Sequence, residues 1–412
     1  MNRLAGGVIA GLMFVAGSAA ARADTVTWIT QGSGVYGNGM NWSTGALPTN
    51  ADRARFDIDN FYTVSFNGNA SAGQLELKRG EVTLDFGGFT YSLVDPVTSL
   101  RMAFLTGDVG ILRLRNGMLS TQTGTIGNFG GSSGLVDISG ASAQWNNANA
   151  MIVGSSGIAE LNISQGADVN FGTSCGVGIG AGATADIIVT GTGSTLTGSG
   201  PLTIGEEIGA ANAMVTADSG GRVIVNDIQI RRNGIIGGGS TFQGNVTNSG
   251  FVSPGSQFGQ MTIQGNLIQN DDGQVFIELN NTASFDRLVV TGTATLGGSL
   301  GVQRTAGFVP PVGQTFTILQ AGSIVGTFDT NLLPGLPGDA QFRVEYTPTT
   351  VLLRVIEPVF ADLTGDGFVN AADLATLLAV WGQDFPPADF NEDGVVNAAD
   401  LATLLAEWTP SG

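Results

Sequence analysis

"GLVDISG" at 134–140 and "AELNISQG" at 159–166 decide the fold. Each alternates apolar and polar side chains over a strand-length run and closes on a glycine, the pattern of a half-buried strand rather than a helix. Three further segments align with them: "GILRLRNG" from Gly110, "ADIIVTG" from Ala185 and "AMVTADSG" from Ala213. The alignment puts Leu114, Ile138, Ile163, Val189 and Ala217 at one shared position. A second marker accompanies the first, as "TIG" at Thr125, "IVG" at Ile152, "GIG" at Gly178 and "TIG" at Thr203, and consecutive markers lie 24 to 28 residues apart.

A period of that size suits a coil of three short strands and three turns, stacked so that each strand pairs in parallel with its equivalents above and below. One coil cannot bury its inward face alone, but a stack builds a continuous aliphatic core. The expected fold class is therefore mainly β, a right-handed parallel β-helix over residues 24–355, followed by a small all-α segment over 356–412. At about 25 residues per coil the rod has about eleven coils, and at ~4.8 Å per coil it is on the order of 50 Å long. Both ends need covers, because an open end exposes unpaired N–H and C=O groups. The aromatic start containing Trp28, Tyr36 and Trp42 is expected to cover one end, with a sugar-binding face as the alternative. "FDRLVVTGTATLGGSLGVQ", "GQTFTILQAG" and "FRVEYTPTTVLLRV" have longer alternating runs that suit wide final coils or a small capping sheet.

Composition excludes several functions. Net charge is −18 with one lysine, Lys78, so a phosphate backbone is repelled and nucleic-acid binding is not expected. Histidine is absent, which removes Ser-His-Asp and Cys-His catalysis and His-ligated zinc. Cys175 is alone and reads as a small buried side chain. Residues 1–23 read as a cleaved secretory signal: Arg3, the apolar "LAGGVIAGLMFVAG", then "ARA" before Asp24. A secreted chain, free or associated with the cell surface, is expected, with no membrane span after cleavage. "NWSTGALPTNADRARF", "NSGFVSPGSQFGQMTIQGNLIQ", "FDRLVVTGTATLGGSL" and "VGQTFTILQAGSIVGTFD" resemble the passenger repeats of autotransporter-like bacterial surface proteins.

The chain ends on a duplication. "ADLTGDGFVNAADLATLLAVW" at 361–381 and "ADFNEDGVVNAADLATLLAEW" at 388–408 agree at 16 of 21 positions, with a constant offset of 27 residues. Asp362, Thr364, Asp366, Gly367, Phe368, Asn370 and Asp373 fall at positions 1, 3, 5, 6, 7, 9 and 12 of a 12-residue loop. Asp389, Asn391, Asp393, Gly394, Val395, Asn397 and Asp400 repeat the set. Hard oxygen donors on alternate residues, a glycine at the sharp turn and a position-7 carbonyl are EF-hand spacing, so two Ca²⁺ ions are expected. Residues 356–412 carry ten acids and no Lys or Arg, and cations would relieve their repulsion. Each loop runs into one helix whose stripe, Leu374, Leu377, Leu378 and Trp381 or Leu401, Leu404, Leu405 and Trp408, is expected to be buried by the other.

No helix is expected to enter either loop, so these are half EF-hands, and the 57-residue segment resembles a type I dockerin. That resemblance implies a pseudo-symmetric helix pair and a cohesin-like domain on another protein as partner. Ala371–Ala372 and Ala398–Ala399 stand at positions 10 and 11, where cellulosomal dockerins commonly carry Ser-Thr, which points to a different receptor.

Catalytic candidates are sparse. Glu206–Glu207 and Asp271–Asp272 are adjacent pairs in turn-like settings, whose members diverge if extended. Arg113, Arg115, Arg231 and Arg232 have few acids near them in sequence, and "GVGIGAG" at 176–182 has only a loose phosphate-loop pattern. The expected function is a non-catalytic surface or scaffold protein held to a partner by a calcium-dependent dockerin. The alternative is a polysaccharide-degrading subunit of a dockerin-organised system, and a polysaccharide or the cell envelope is a possible surface partner.

Overall fold

A computed structural model describes residues 24–206, 212–255, 258–338, 340–357 and 359–409. The signal-like residues 1–23 lie outside this set. Among the described residues the chain is mainly β: a parallel solenoid of about 11 turns, with two short helices at its C-terminal end. No described helix is long and apolar enough to cross a membrane.

The coil has the anticipated three strands, for example Val109–Arg115, Met118–Thr121 and Gly124–Ile126. Each pairs in parallel with its equivalent one turn on, at Ser133–Ser139, Gln144–Asn147 and Ala150–Val153. Alternation sends every second side chain inward, so Leu112, Val136, Leu161, Ile187, Val215 and Ile236 stack as one buried rung ladder. Leu114, Ile138, Ile163, Val189 and Ala217 form the next ladder in the register that the repeat anticipates. Burial of a large aliphatic side chain stabilises by roughly 1.5–3 kcal/mol, and only the stack makes such burial complete.

The second marker needs one correction. Thr125 pairs with Ile152, Ile152 with Gly176 and Gly176 with Thr203, so the third copy is "GVG" at 176–178 and not "GIG" at 178–180. A slip of two residues preserves inward and outward parity, which is why alternation alone did not expose it. The corner glycines Gly127, Gly154, Gly178 and Gly205 all have positive φ, between 59° and 81°. At Gly154 a Cβ would also meet the Ala185 Cβ at 2.6 Å. The same register disposes of the phosphate-loop pattern, because a strand, Thr184–Thr190, follows "GVGIGAG" instead of a helix.

Polar side chains close what apolar ones cannot. Thr121 donates to Asn147 Oδ1 at 2.7 Å and accepts from Trp145 Nε1 at 2.9 Å inside the core. Glu76 is buried between two neighbouring coils, accepting from Arg55 Nη2 at 2.8 Å and Arg101 Nη1 at 3.4 Å.

Trp28, Tyr36 and Trp42 are buried at the N-terminal end. Trp28 and Trp42 meet edge to face at 5.3 Å, and Tyr36 stacks on Phe66 at 4.7 Å. Rings enclosed in this way offer no platform to a sugar, so these residues serve the core. At the other end Thr315–Val325 pairs in parallel with the coil below and antiparallel with Thr350–Ile356, which in turn pairs antiparallel with the edge strand Gln341–Tyr346. The solenoid therefore closes on a small antiparallel sheet. Its core and that of the C-terminal segment are separate clusters.

Candidate functional site

The C-terminal segment is built twice from the same contacts. The helices α1 (Ala371–Ala379) and α2 (Ala398–Ala406) each start on a capping box. Asn370 Oδ1 accepts from Ala372 N and Asp373 Oδ2 from Asn370 N, both at 2.8 Å, and Asn397 and Asp400 do the same at 2.8 Å in the second copy. The small core contains Ala361, Val369 and Leu377 with their partners at the 27-residue offset, Ala388, Val396 and Leu404. Gly382 N donates to Val396 O at 2.8 Å, and Thr409 N donates to Val369 O at 2.9 Å. Each copy thus ends on the other copy's loop.

In the first loop, Asp362, Asp366 and Asp373 each bring a carboxylate oxygen within 4.8 Å of the others, the one such grouping among the described residues. Position 1 is fixed by backbone donors: Gly367 N reaches Asp362 Oδ2 at 2.6 Å and Gly365 N reaches Oδ1 at 2.8 Å. The Thr364 hydroxyl lies between positions 1 and 12, at 3.3 Å from Asp362 Oδ1 and 2.9 Å from Asp373 Oδ1. Burial alone would raise the Asp373 carboxyl, but the N–H groups of Asn370, Thr364 and Leu363 and the Thr364 hydroxyl outweigh it and hold the group below its ordinary value.

The three carboxylates and the Thr364 hydroxyl suit a hard divalent cation, and Phe368 stands at the carbonyl-donor position of the 12-residue pattern. Asn370 Oδ1 caps α1, and its Nδ2 donates to Asp366 Oδ2 at 3.2 Å. The second loop has the same frame, with Gly394 N on Asp389 Oδ2 at 2.7 Å. Its position-3 residue is an amide, and Asn391 Nδ2 and Asn397 Nδ2 donate to Asp393 Oδ2 at 2.9 and 3.1 Å. Those bonds, with the Val395 N–H, hold Asp393 below the usual carboxylate range. Asp389 and Asp400 complete positions 1 and 12, both buried. Val395 accepts at its carbonyl from Asn397 Nδ2 at 2.9 Å.

The helix stripes are a correction. Leu377 and Leu404 are buried, Leu374 and Leu401 are partly so, but Leu378, Trp381, Leu405 and Trp408 are 50, 43, 52 and 39% exposed. Helices of nine residues bury Leu377 and Leu404, cover Leu374 and Leu401 in part, and leave the C-terminal half of each stripe exposed. Alternation of the copies gives two equivalent apolar patches.

On the rod, Glu206 is half-buried and Glu207 lies outside the described residues, while Asp271 and Asp272 are exposed in a turn with Asp272 paired to Arg232 at 3.0 Å. Arg113 is held between Glu81 at 2.7 Å and Asp137 at 2.6 Å, and Arg115 reaches Asp137 at 2.7 Å. One carboxylate pair was missed in the sequence: Glu160 and Asp186 are direct register partners on adjacent strands. Their signal was the period itself, since both follow the first residue of aligned segments. Burial and the Glu160 charge raise the Asp186 carboxyl above its ordinary value. The chain matches no model of a known protein family and no curated protein sequence.

Proposed function

We propose that the chain is a secreted, non-catalytic β-solenoid scaffold, coiled right-handedly as parallel crossovers generally are. A dockerin-like tail that binds two Ca²⁺ ions attaches it to a protein partner. The observation that carries this reading is the convergence of Asp362, Asp366 and Asp373 oxygens within 4.8 Å inside a turn of EF-hand spacing. In the second loop Asp389, Asn391, Asp393, Val395 and Asp400 would hold the other ion. Bound Ca²⁺ would neutralise the clustered carboxylates; the chain's own residues cap the helices and pair the two copies. Leu378 and Trp381, with Leu405 and Trp408, support a protein partner, because paired exposed apolar patches of this kind mark contact surfaces. The cohesin-like receptor implied by the dockerin resemblance suits them, and the alanines at positions 10 and 11 favour a receptor that reads apolar shape.

Calorimetry of the full chain with Ca²⁺ tests the reading. Two binding events are expected; none would remove it. A second reading, a polysaccharide-active rod, draws on the Glu160 and Asp186 pair, whose strand spacing of ~5 Å is near that of paired catalytic carboxylates. Turnover of a glycan panel that disappears in Glu160→Gln would establish it, and absence of turnover leaves the scaffold reading alone.

A further inference from the structure

The 27-residue offset relates many contacts of the tail, but among the described residues the first loop has a contact to the rod that the second lacks. Arg343, on the edge strand Gln341–Tyr346, donates from Nη1 to the Asp366 carbonyl at 2.9 Å, and its guanidinium carbon lies 5.2 Å from the centroid of the Phe368 ring. Nε donates to Glu345 Oε1 at 3.0 Å and Nη2 bonds the same oxygen, with Arg354 at 3.6 Å from that carboxylate. The fork is therefore set by the rod before it reaches the loop. A Cβ at Gly367 would collide with Arg343 Nη1, whereas Gly394 at the equivalent place in the second loop faces open space.

Arg343 thus grips the peptide between two donors of the first loop, the Asp366 carboxylate and the Phe368 carbonyl. A planar guanidinium suits this task, because it can hydrogen-bond in its plane and stack on a ring with its face. The held backbone is the one that brings Asp362, Asp366 and Asp373 together, in the loop where the three oxygens close most tightly.

We propose that Arg343 latches the first loop to the rod, so that a divalent cation in that loop and the seating of the tail on the rod stabilise each other, while the second loop fills independently of the rod. This rests on the reading of the loops as Ca²⁺ sites. The coupling is reciprocal by linkage: whatever factor the latch adds to cation affinity, the cation adds to the latch. Arg343 is a positioning residue that touches backbone and ring, not the ion.

Amide hydrogen exchange and calorimetry on the full chain test the proposal. In the parent chain Ca²⁺ slows exchange at 341–346 as well as in α1 and α2. Arg343→Ala keeps two Ca²⁺ binding events, weakens one about tenfold, and loses the Ca²⁺-dependent slowing at 341–346. Arg343→Lys keeps a cation on the edge strand without the planar fork and falls between the two, which separates loss of the latch from damage to the hairpin. Two ions binding with no change at 341–346 would overturn the latch alone, as would an Arg343→Ala chain that retains the slowing. No Ca²⁺ binding in the parent would overturn the latch together with the reading beneath it.

Discussion

Asp366→Asn should make the tail more stable in chelator and less stable in calcium. Three carboxylate oxygens within 4.8 Å repel by about 0.9 kcal/mol per pair even at the dielectric of water, or ~2.6 kcal/mol in all. Removing the Asp366 charge deletes two of the three pairs, a relief of ~1.7 kcal/mol. Against this stands the bond from Asn370 Nδ2 to Asp366 Oδ2 at 3.2 Å, which an amide cannot accept in the same way. Asp366 is exposed and water screens this charge-assisted bond, so its loss costs only about 0.5–1 kcal/mol. The bond from Phe368 N to Asp366 Oδ1 at 2.9 Å survives, because the asparagine oxygen can take it. The net gain of ~1 kcal/mol corresponds to roughly fivefold slower amide exchange in α1 under EDTA. In Ca²⁺ the order reverses, because a hard cation loses one of its charged ligands, and half-saturation of the first loop should need at least about tenfold more metal. Exchange rates of 371–379 in EDTA and across a Ca²⁺ titration measure both arms. An Asp366→Asn chain that exchanges faster in EDTA, or that binds Ca²⁺ as tightly as its parent, would refute the idea that cations relieve carboxylate repulsion here.

Other outcomes follow from the rod. Gly154→Ala combines a positive φ with a Cβ 2.6 Å from that of Ala185, so about 2 kcal/mol or more of local stability should be lost, read by exchange at 150–153 and 184–190. Glu76→Gln leaves Arg55 and Arg101 facing a neutral group; both arginines are partly hydrated, so the loss should be about 1–3 kcal/mol in urea unfolding, below that of a fully enclosed pair. Burial lifts Asp286 to about 6, with the Glu278 charge adding and the Glu278 and Gly259 N–H groups opposing. Its ionisation therefore works against the folded state, and protection of 274–279 should be flat above about pH 6, rise as pH falls from about 6 to 4, and level off below the unfolded value of about 4. A pH-independent profile would contradict that assignment. Burial pushes the Cys175 thiol up to about 12, so it should resist alkylation until the chain is denatured.

Much of this architecture was readable before any coordinates, because a solenoid writes its geometry as a period. Leu114, Ile138 and Ile163 sit one coil apart, and their register follows from counting. Counting failed at Gly176–Gly182, where glycines at every second place allow two alignments of the same parity. Glu160 and Asp186 are legible in the same way, since their 26-residue separation is a coil length and both occupy the outward position next to an aligned alanine. Asp362 to Asp373 were equally legible, being local in sequence. Two features were not. Exposure of Trp381 and Trp408 depends on how far nine-residue helices overlap, which a stripe does not encode. The contact from Arg343 to Asp366 joins different cores, and no pattern in either announces the other.

Because every coil touches little beyond its two neighbours, the solenoid is also a ruler. Duplicating or excising one 24–28-residue unit would move the tail by about one strand spacing along the axis, ~4.8 Å, and leave both end covers as they are. Spacing between whatever meets the N-terminal tip and whatever holds the tail can thus change in even steps, through unequal recombination between repeats, without a new surface having to arise.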